Sequence, residues 1–202
     1  MKKTKKRQES FLQKHYSLSW LYIKESRNYI LFIVLIFLLG FLISLNYKPT
    51  EIVELIKSFV ERLMEETEGL STWEMVIYIL NNNLKNSFIS VLLGVFVGIF
   101  PFLTALINGY VLGFVVEKSM QVEGVGVLWL LLPHGIFEFP AVILALALGI
   151  KLGFFWSNKK RNGLKKEFLR RFENSLRVFL FIILPLLVIA AIIEGILISL
   201  VG

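Results

Sequence analysis

The chain has 202 residues, 56% of them hydrophobic and 18% charged, with a mean hydropathy of +0.71. Soluble domains carry about 25% charged residues and roughly 45–50% apolar ones, and a chain this short has no interior large enough to hide the excess from water. There is no cysteine and all fifteen acids are glutamate, which excludes disulfides, thiolate metal sites and paired-aspartate chemistry; an integral membrane protein is what remains.

The first 28 residues hold eight Lys/Arg against two Glu. Within them, 10–28 place Phe11, Leu12, Trp20, Leu21 and Ile23 among Lys14, Lys24 and Arg27, the composition of an interfacial amphipathic helix with snorkelling bases. A plain extension of the following span fits equally well. The run 29–45 carries no charge and, with its flanks, is long enough for a first crossing. No small-x-small cleavage site follows it, so it reads as a permanent span with its N-terminus in the cytoplasm.

Residues 46–86 reverse the charge balance, with seven Glu against four Lys/Arg. Pro49-Thr50-Glu51 opens one amphipathic helix, Glu68-Gly69 closes it, and Ser71-x-x-Glu74 is the capping box of a second. The expectation is a helical hairpin over 50–85, lying on the outer side of the membrane or on a partner.

From 87 to 116 no residue is charged, and Pro101 interrupts the run. At ~1.5 Å per residue this is ~45 Å, too long for one straight crossing and short for two. Either 87–116 is one kinked pass and 127–150 is re-entrant, or 87–100, 102–116 and 127–150 are three passes. The connector 117–126, with two Glu and one Lys, favours three. Beyond it, 151–177 carry nine Lys/Arg against two Glu, and 159–177 read as a basic amphipathic helix on anionic cytoplasmic lipid or on a cytoplasmic partner. The run 178–201 is the last span and leaves the C-terminus outside. Basic blocks flanking apolar spans are the positive-inside pattern; no aromatic-basic face accompanies them, so nucleic acid is not an expected partner. The whole is an all-α integral membrane protein forming a single domain over 1–202. About five transmembrane helices are expected, some short or broken, with interfacial amphipathic helices beside them.

Polar residues at membrane depth cost ~2.5–3.5 kcal/mol each on insertion scales and therefore face other helices or a cavity. Three places carry them: Asn108, the octapeptide from Pro133 to Pro140 (PHGIFEFP) and Glu194. Two prolines and Gly135 weaken the helical backbone of the octapeptide, while His134 and Glu138, four apart, share a face if a helix continues through them. Two readings stay open: a protonatable or ion-coordinating site, and a structural lock in which the pair binds itself or the loosened backbone. A closed zinc site is not expected, because the chain supplies at most His134, Glu138 and Glu194, with no second histidine in the membrane. No cofactor is expected. Gly94/Gly98, Gly109/Gly113 and Gly149/Gly153 are three G-x-x-x-G pairs in apolar surroundings, suited to close helix packing within one chain or between copies.

Tyr22 to Ile30 (YIKESRNYI), Asn82-Asn83, Gly94, Gly98, Asn108-Gly109, Gly113 and Pro133-His134-Gly135-x-x-Glu138 together resemble the stage II sporulation protein M family in order and spacing. The resemblance implies a polytopic membrane protein, commonly of five spans. It also implies a place in a membrane complex: in spore-forming bacteria the family's namesake joins an engulfment complex with peptidoglycan-remodelling partners. Asn108, Gly109, Pro133, His134, Gly135 and Glu138 match the family's central motif, which does not supply their chemistry. The leading expectation is a non-enzymatic scaffold or complex component in the cell membrane, oligomeric, with lipid and membrane or envelope proteins as partners. The alternative is an oligomeric ion channel or transporter with an intramembrane His/Glu site.

Overall fold

A computed structural model describes residues 10–158 and 163–201. Among these residues every regular element is helical: α1 (Phe11–Glu25), α2 (Arg27–Asn46), α3 (Thr50–Thr67), α4 (Thr72–Leu93), α5 (Ile99–Glu123), α6 (Leu128–Gly153), α7 (Leu164–Val178) and α8 (Leu184–Val201). A π-helical stretch, Phe179–Ile183, joins α7 to α8 without a break. Four stretches are long and apolar enough to cross a membrane: Arg27–Asn46, Ile99–Val122, Leu132–Gly153 and Leu164–Leu200. The protein is a multi-pass helical membrane protein.

The central element is α6. Ala141, Ala145, Leu146, Ala147, Leu148 and Leu152 on it are almost wholly buried, because small residues let neighbouring helices approach on every side. Phe37 and Ile33 of α2 meet one flank of α6, and Ile183 and Leu187 meet another. The opposite side of α2 presents Leu31, Leu35, Leu38 and Leu42 outward, a surface suited to lipid.

Helix polarity follows from the side-chain register. The α2 sequence Phe37, Gly40, Phe41 and Ser44 meets Gly109, Leu106, Tyr110 and Gly113 with both chains rising together, so α2 and α5 are parallel. Likewise Ser90 and Gly94 of α4 meet Gly149 and Gly153 of α6 in parallel. The α8 helix is antiparallel to α4, since Gly195 packs on Val76 and the Ser199 and Thr72 hydroxyls lie 2.7 Å apart. Thus α2, α5 and α8 run one way and α4 and α6 the other. The basic helices α1 and α7 share one end of the bundle, and acidic α3 lies at the other.

Several boundaries differ from the sequence expectation. The two helices expected over 50–85 are present and meet at the expected turn, but α4 continues to Leu93 and packs along both α6 and α8. Its asparagines, Asn81 to Asn83 and Asn86, depress its apolarity and disguise it as a surface helix. The Ser71–Glu74 capping box is present at its start. The run 87–116 is neither one kinked pass nor two short ones. The chain turns at Gly94–Gly98, where Val97 and Gly98 take φ of 56° and 71°, and α5 then runs unbroken. Pro101 sits in the first turn of α5, where its missing N–H has no partner to lose. The 127–150 segment is not re-entrant: α6 is helical through both Pro133 and Pro140. Neighbouring helices support a transmembrane helix across such positions. Of the basic segment 159–177, helix is seen from Leu164, and 159–162 lie outside the described residues.

Candidate functional site

Because α6 continues through the octapeptide, His134 and Glu138 stand one turn apart on the same face. That face looks toward α8, and Glu194 completes a cluster of three half-buried side chains. One ligand-type atom of each, an imidazole nitrogen and two carboxylate oxygens, lies within 4.8 Å of the others. From α4, the Asn83 amide hydrogen-bonds the Glu138 carboxyl. No lysine or arginine forms a salt bridge with either carboxyl among the described residues. Three helices therefore contribute to one polar centre in the middle of an apolar bundle.

Two cavities reach this centre. One, of about 370 Å³, opens between α4 and α5 and is lined by Asn83, Asn86, Thr104, Asn108 and Glu138 among apolar neighbours. The other, of about 230 Å³, lies between α2, α5 and α6 and touches Asn108, His134 and Glu138. Asn108 borders both, but it does not tie helices together: its amide donates to the Thr104 carbonyl of its own helix at 2.9 Å. Pro133 is built into α6 beside the cluster. Gly135 is buried where a Cβ would come within 2.8 Å of the Phe139 ring.

The glycines set the spacing around the site. A Cβ on Gly109 would fall on the Phe37 carbonyl, and one on Gly113 would strike Ser44 and Phe41, so these two close the α2–α5 seam. Gly149 and Gly153 close the α4–α6 seam: a Cβ on Gly149 would lie 2.5 Å from the Ser90 carbonyl oxygen and 2.8 Å from Pro101. Gly94 and Gly98 do not share one helix. Gly94 ends α4 against Gly149, and Gly98 opens α5 in the left-handed region that favours glycine.

A second constellation, missed in the sequence, closes the basic end. Lys151 is 2% exposed; its ammonium lies 3.2 Å from Glu25, donates to the Ser26 hydroxyl oxygen at 2.9 Å, and stands 3.6 Å from the Tyr22 ring centroid. Arg170 forks onto Glu25 and Glu167, and Arg171, 1% exposed, donates to Glu167 at 2.7 Å and to the Lys151 carbonyl. Burial raises the Glu25 carboxyl, but Arg170 and Lys151 outweigh burial and hold it below its ordinary value. The signal was present as Glu25, Lys151 and Glu167, acids and a base at helix ends, yet nothing local paired residues 126 or more positions apart.

Residues 29–197 match the family described as Stage II sporulation protein M. An uncharacterized protein of Methanocaldococcus jannaschii is 28% identical over 183 residues, covering 85% of this chain and 81% of the relative. A second uncharacterized protein of that organism is 33% identical over 122 residues, 57% of this chain and 66% of the relative. No solved structure matches the chain. The matched span includes every helix from α2 to the cluster residue Glu194, and the chain belongs to the stage II sporulation protein M family.

Proposed function

We propose that this family member is a non-enzymatic component of a membrane assembly, a platform whose helices are clamped near mid-depth by His134, Glu138 and Glu194. The observation that carries this reading is that Asn83 of α4, His134 and Glu138 of α6 and Glu194 of α8 turn toward one another rather than toward the bundle's exterior. Polar groups so arranged hold helix register in a medium that offers no competing partner. The cluster holds carboxyls, an imidazole and an amide, but no hydroxyl or thiol nucleophile. In this reading the basic end faces the cytoplasm and its anionic lipid, α4 is a fifth crossing, and the C-terminus is outside. Partners are a further copy of the chain and membrane or envelope proteins.

A conduit is the second reading, favoured by the 370 Å³ cavity that brings Asn83, Asn108 and Glu138 to one wall. One pair of measurements separates the two. His134→Ala and Glu194→Gln are expected to lower the thermal unfolding midpoint in detergent while liposomes carrying the wild type stay ion-tight. Unchanged midpoints in both variants would refute the clamp. Ion flux that vanishes in Glu138→Gln would establish the conduit in its place.

A further inference from the structure

The clamp brings together donors of two kinds from two helices. Two carboxyls and an imidazole converge within 4.8 Å, Asn83 adds a neutral amide, and no lysine or arginine bridges to either acid among the described residues. The donor set is also mixed, one nitrogen and two carboxylate oxygens, and this distinguishes it from an ordinary acidic cluster. Nitrogen and carboxylate donors bind Zn²⁺ at roughly 2.0–2.2 Å, which puts neighbouring donors about 3.4 Å apart in a tetrahedral shell. The set already lies within 4.8 Å, about 1.4 Å wider than that shell.

We propose that His134, Glu138 and Glu194 bind one divalent first-row transition-metal ion, of the Zn²⁺ or Mn²⁺ type, that ties α6 to α8. The proposal rests on the clamp reading and names what the clamp closes upon. Imidazole with two carboxylates suits such ions, whereas the chain has no thiolate for Cu(I). Glu138 and His134, one turn apart, supply two ligands from α6, and Glu194 supplies the third from α8. Asn83 orients the Glu138 carboxyl from outside the ligand shell, as outer-shell partners do. The 230 Å³ cavity reaches His134 and Glu138 and leaves room beside the ion for a further ligand.

Co²⁺, added to chelator-treated full-length protein in detergent, is the probe. Its d–d absorption is expected to saturate at one ion per chain and to disappear when Zn²⁺ competes. Glu194→Gln and His134→Ala should each weaken Co²⁺ binding at least 100-fold, Asn83→Ala by about 10–100-fold, and the exposed-surface variant Glu173→Gln not at all. The same saturating spectrum in His134→Ala and Glu194→Gln, or no spectrum in the wild type, overturns the ion. Glu138→Gln, which keeps side-chain volume, decides the matter should the other two fail to fold. The unfolding midpoints separate the two ideas. Midpoints lowered by substitution with no Co²⁺ band leave the clamp standing and remove the ion. A Co²⁺ band with unchanged midpoints keeps the ion and removes the clamp.

Discussion

At the basic end of the bundle, Lys151, Arg170 and Arg171 meet Glu25 and Glu167, and each of these five has an opposite charge within hydrogen-bonding distance. About 20 Å further along α6, by helix rise, Glu138 and Glu194 meet an imidazole and an amide instead. The residue types overlap but the solutions differ. Near the headgroups, ionised side chains remain affordable when paired, because water and lipid phosphate are close and snorkelling relieves part of the cost. Deeper in the bundle a salt bridge would demand desolvating two ions, and no lysine or arginine bridges to Glu138 or Glu194 among the described residues. One end is therefore held by ion pairs between α1, α6 and α7, and the centre by a few polar contacts between α4, α6 and α8.

The sharpest way to break this contrast is to unbalance the basic end. Glu167→Ala would leave the almost fully buried Arg171 guanidinium without its carboxylate. Removing one partner of a buried pair costs about 3–5 kcal/mol, because the other charge stays behind. Denaturant or thermal unfolding in detergent should show a loss of that order, with α1 and α7 becoming protease-sensitive together. A loss below about 1 kcal/mol would mean that the network behaves as a surface feature and that burial at this end is not what distinguishes it.

An intermediate effect is expected at the seam that sets the register of the central cluster. Gly149→Ala places a methyl 2.5 Å from the Ser90 carbonyl and 2.8 Å from Pro101, and neither is a flexible side-chain end. Over-packing of this kind costs typically about 1–3 kcal/mol. It should also separate α4 from α6 and so weaken the Asn83–Glu138 contact while leaving the salt bridges at the basic end intact. Gly126→Ala, which would meet nothing within 4 Å and lies at ordinary φ, is the neutral control. Equal losses from the two substitutions would show that the seam does not govern the packing.

How far all this was readable beforehand depended on the range of the interaction. The helical membrane class, the spans around α2 and α8, and the Ser71 cap all follow from features within one turn or one run of sequence. So does the shared face of His134 and Glu138, once the helix is known to continue. The continuation itself was not readable, since Pro133 and Pro140 signal a break in water and are tolerated only where neighbours pack around the helix. Likewise α4 carries Asn83 and Asn86, which look like surface residues until α5 and α6 are seen to enclose a polar cavity. Gly94 and Gly98 show the reverse error: their spacing matches a packing motif within one helix, whereas Gly98 is needed for a left-handed turn between two. The Glu25–Lys151 pair spans 126 positions, and only the fold brings it together.

The smallest effect tests the electrostatic half of the contrast directly. Glu25 is held below its ordinary value of 4.5: burial works against this, but the Arg170 guanidinium and the Lys151 ammonium together prevail. A carboxylate lowered by folding adds stability that is fully present above its unfolded value and is lost as pH falls through the folded one. The stability that Glu25 contributes, read as the difference between wild type and Glu25→Gln, should therefore be constant from neutrality down to about pH 5 and then decline through the acid range. Glu25 is half-exposed, so that contribution is under about 1 kcal/mol once solvent screening is allowed for. Glu25→Gln should lower the neutral-pH midpoint slightly and make the acid decline shallower, and added salt should reduce the difference between the two proteins. An acid decline of the same depth in Glu25→Gln would assign it to other carboxyls, and Glu25 would then be a bystander to the network that Glu167 anchors.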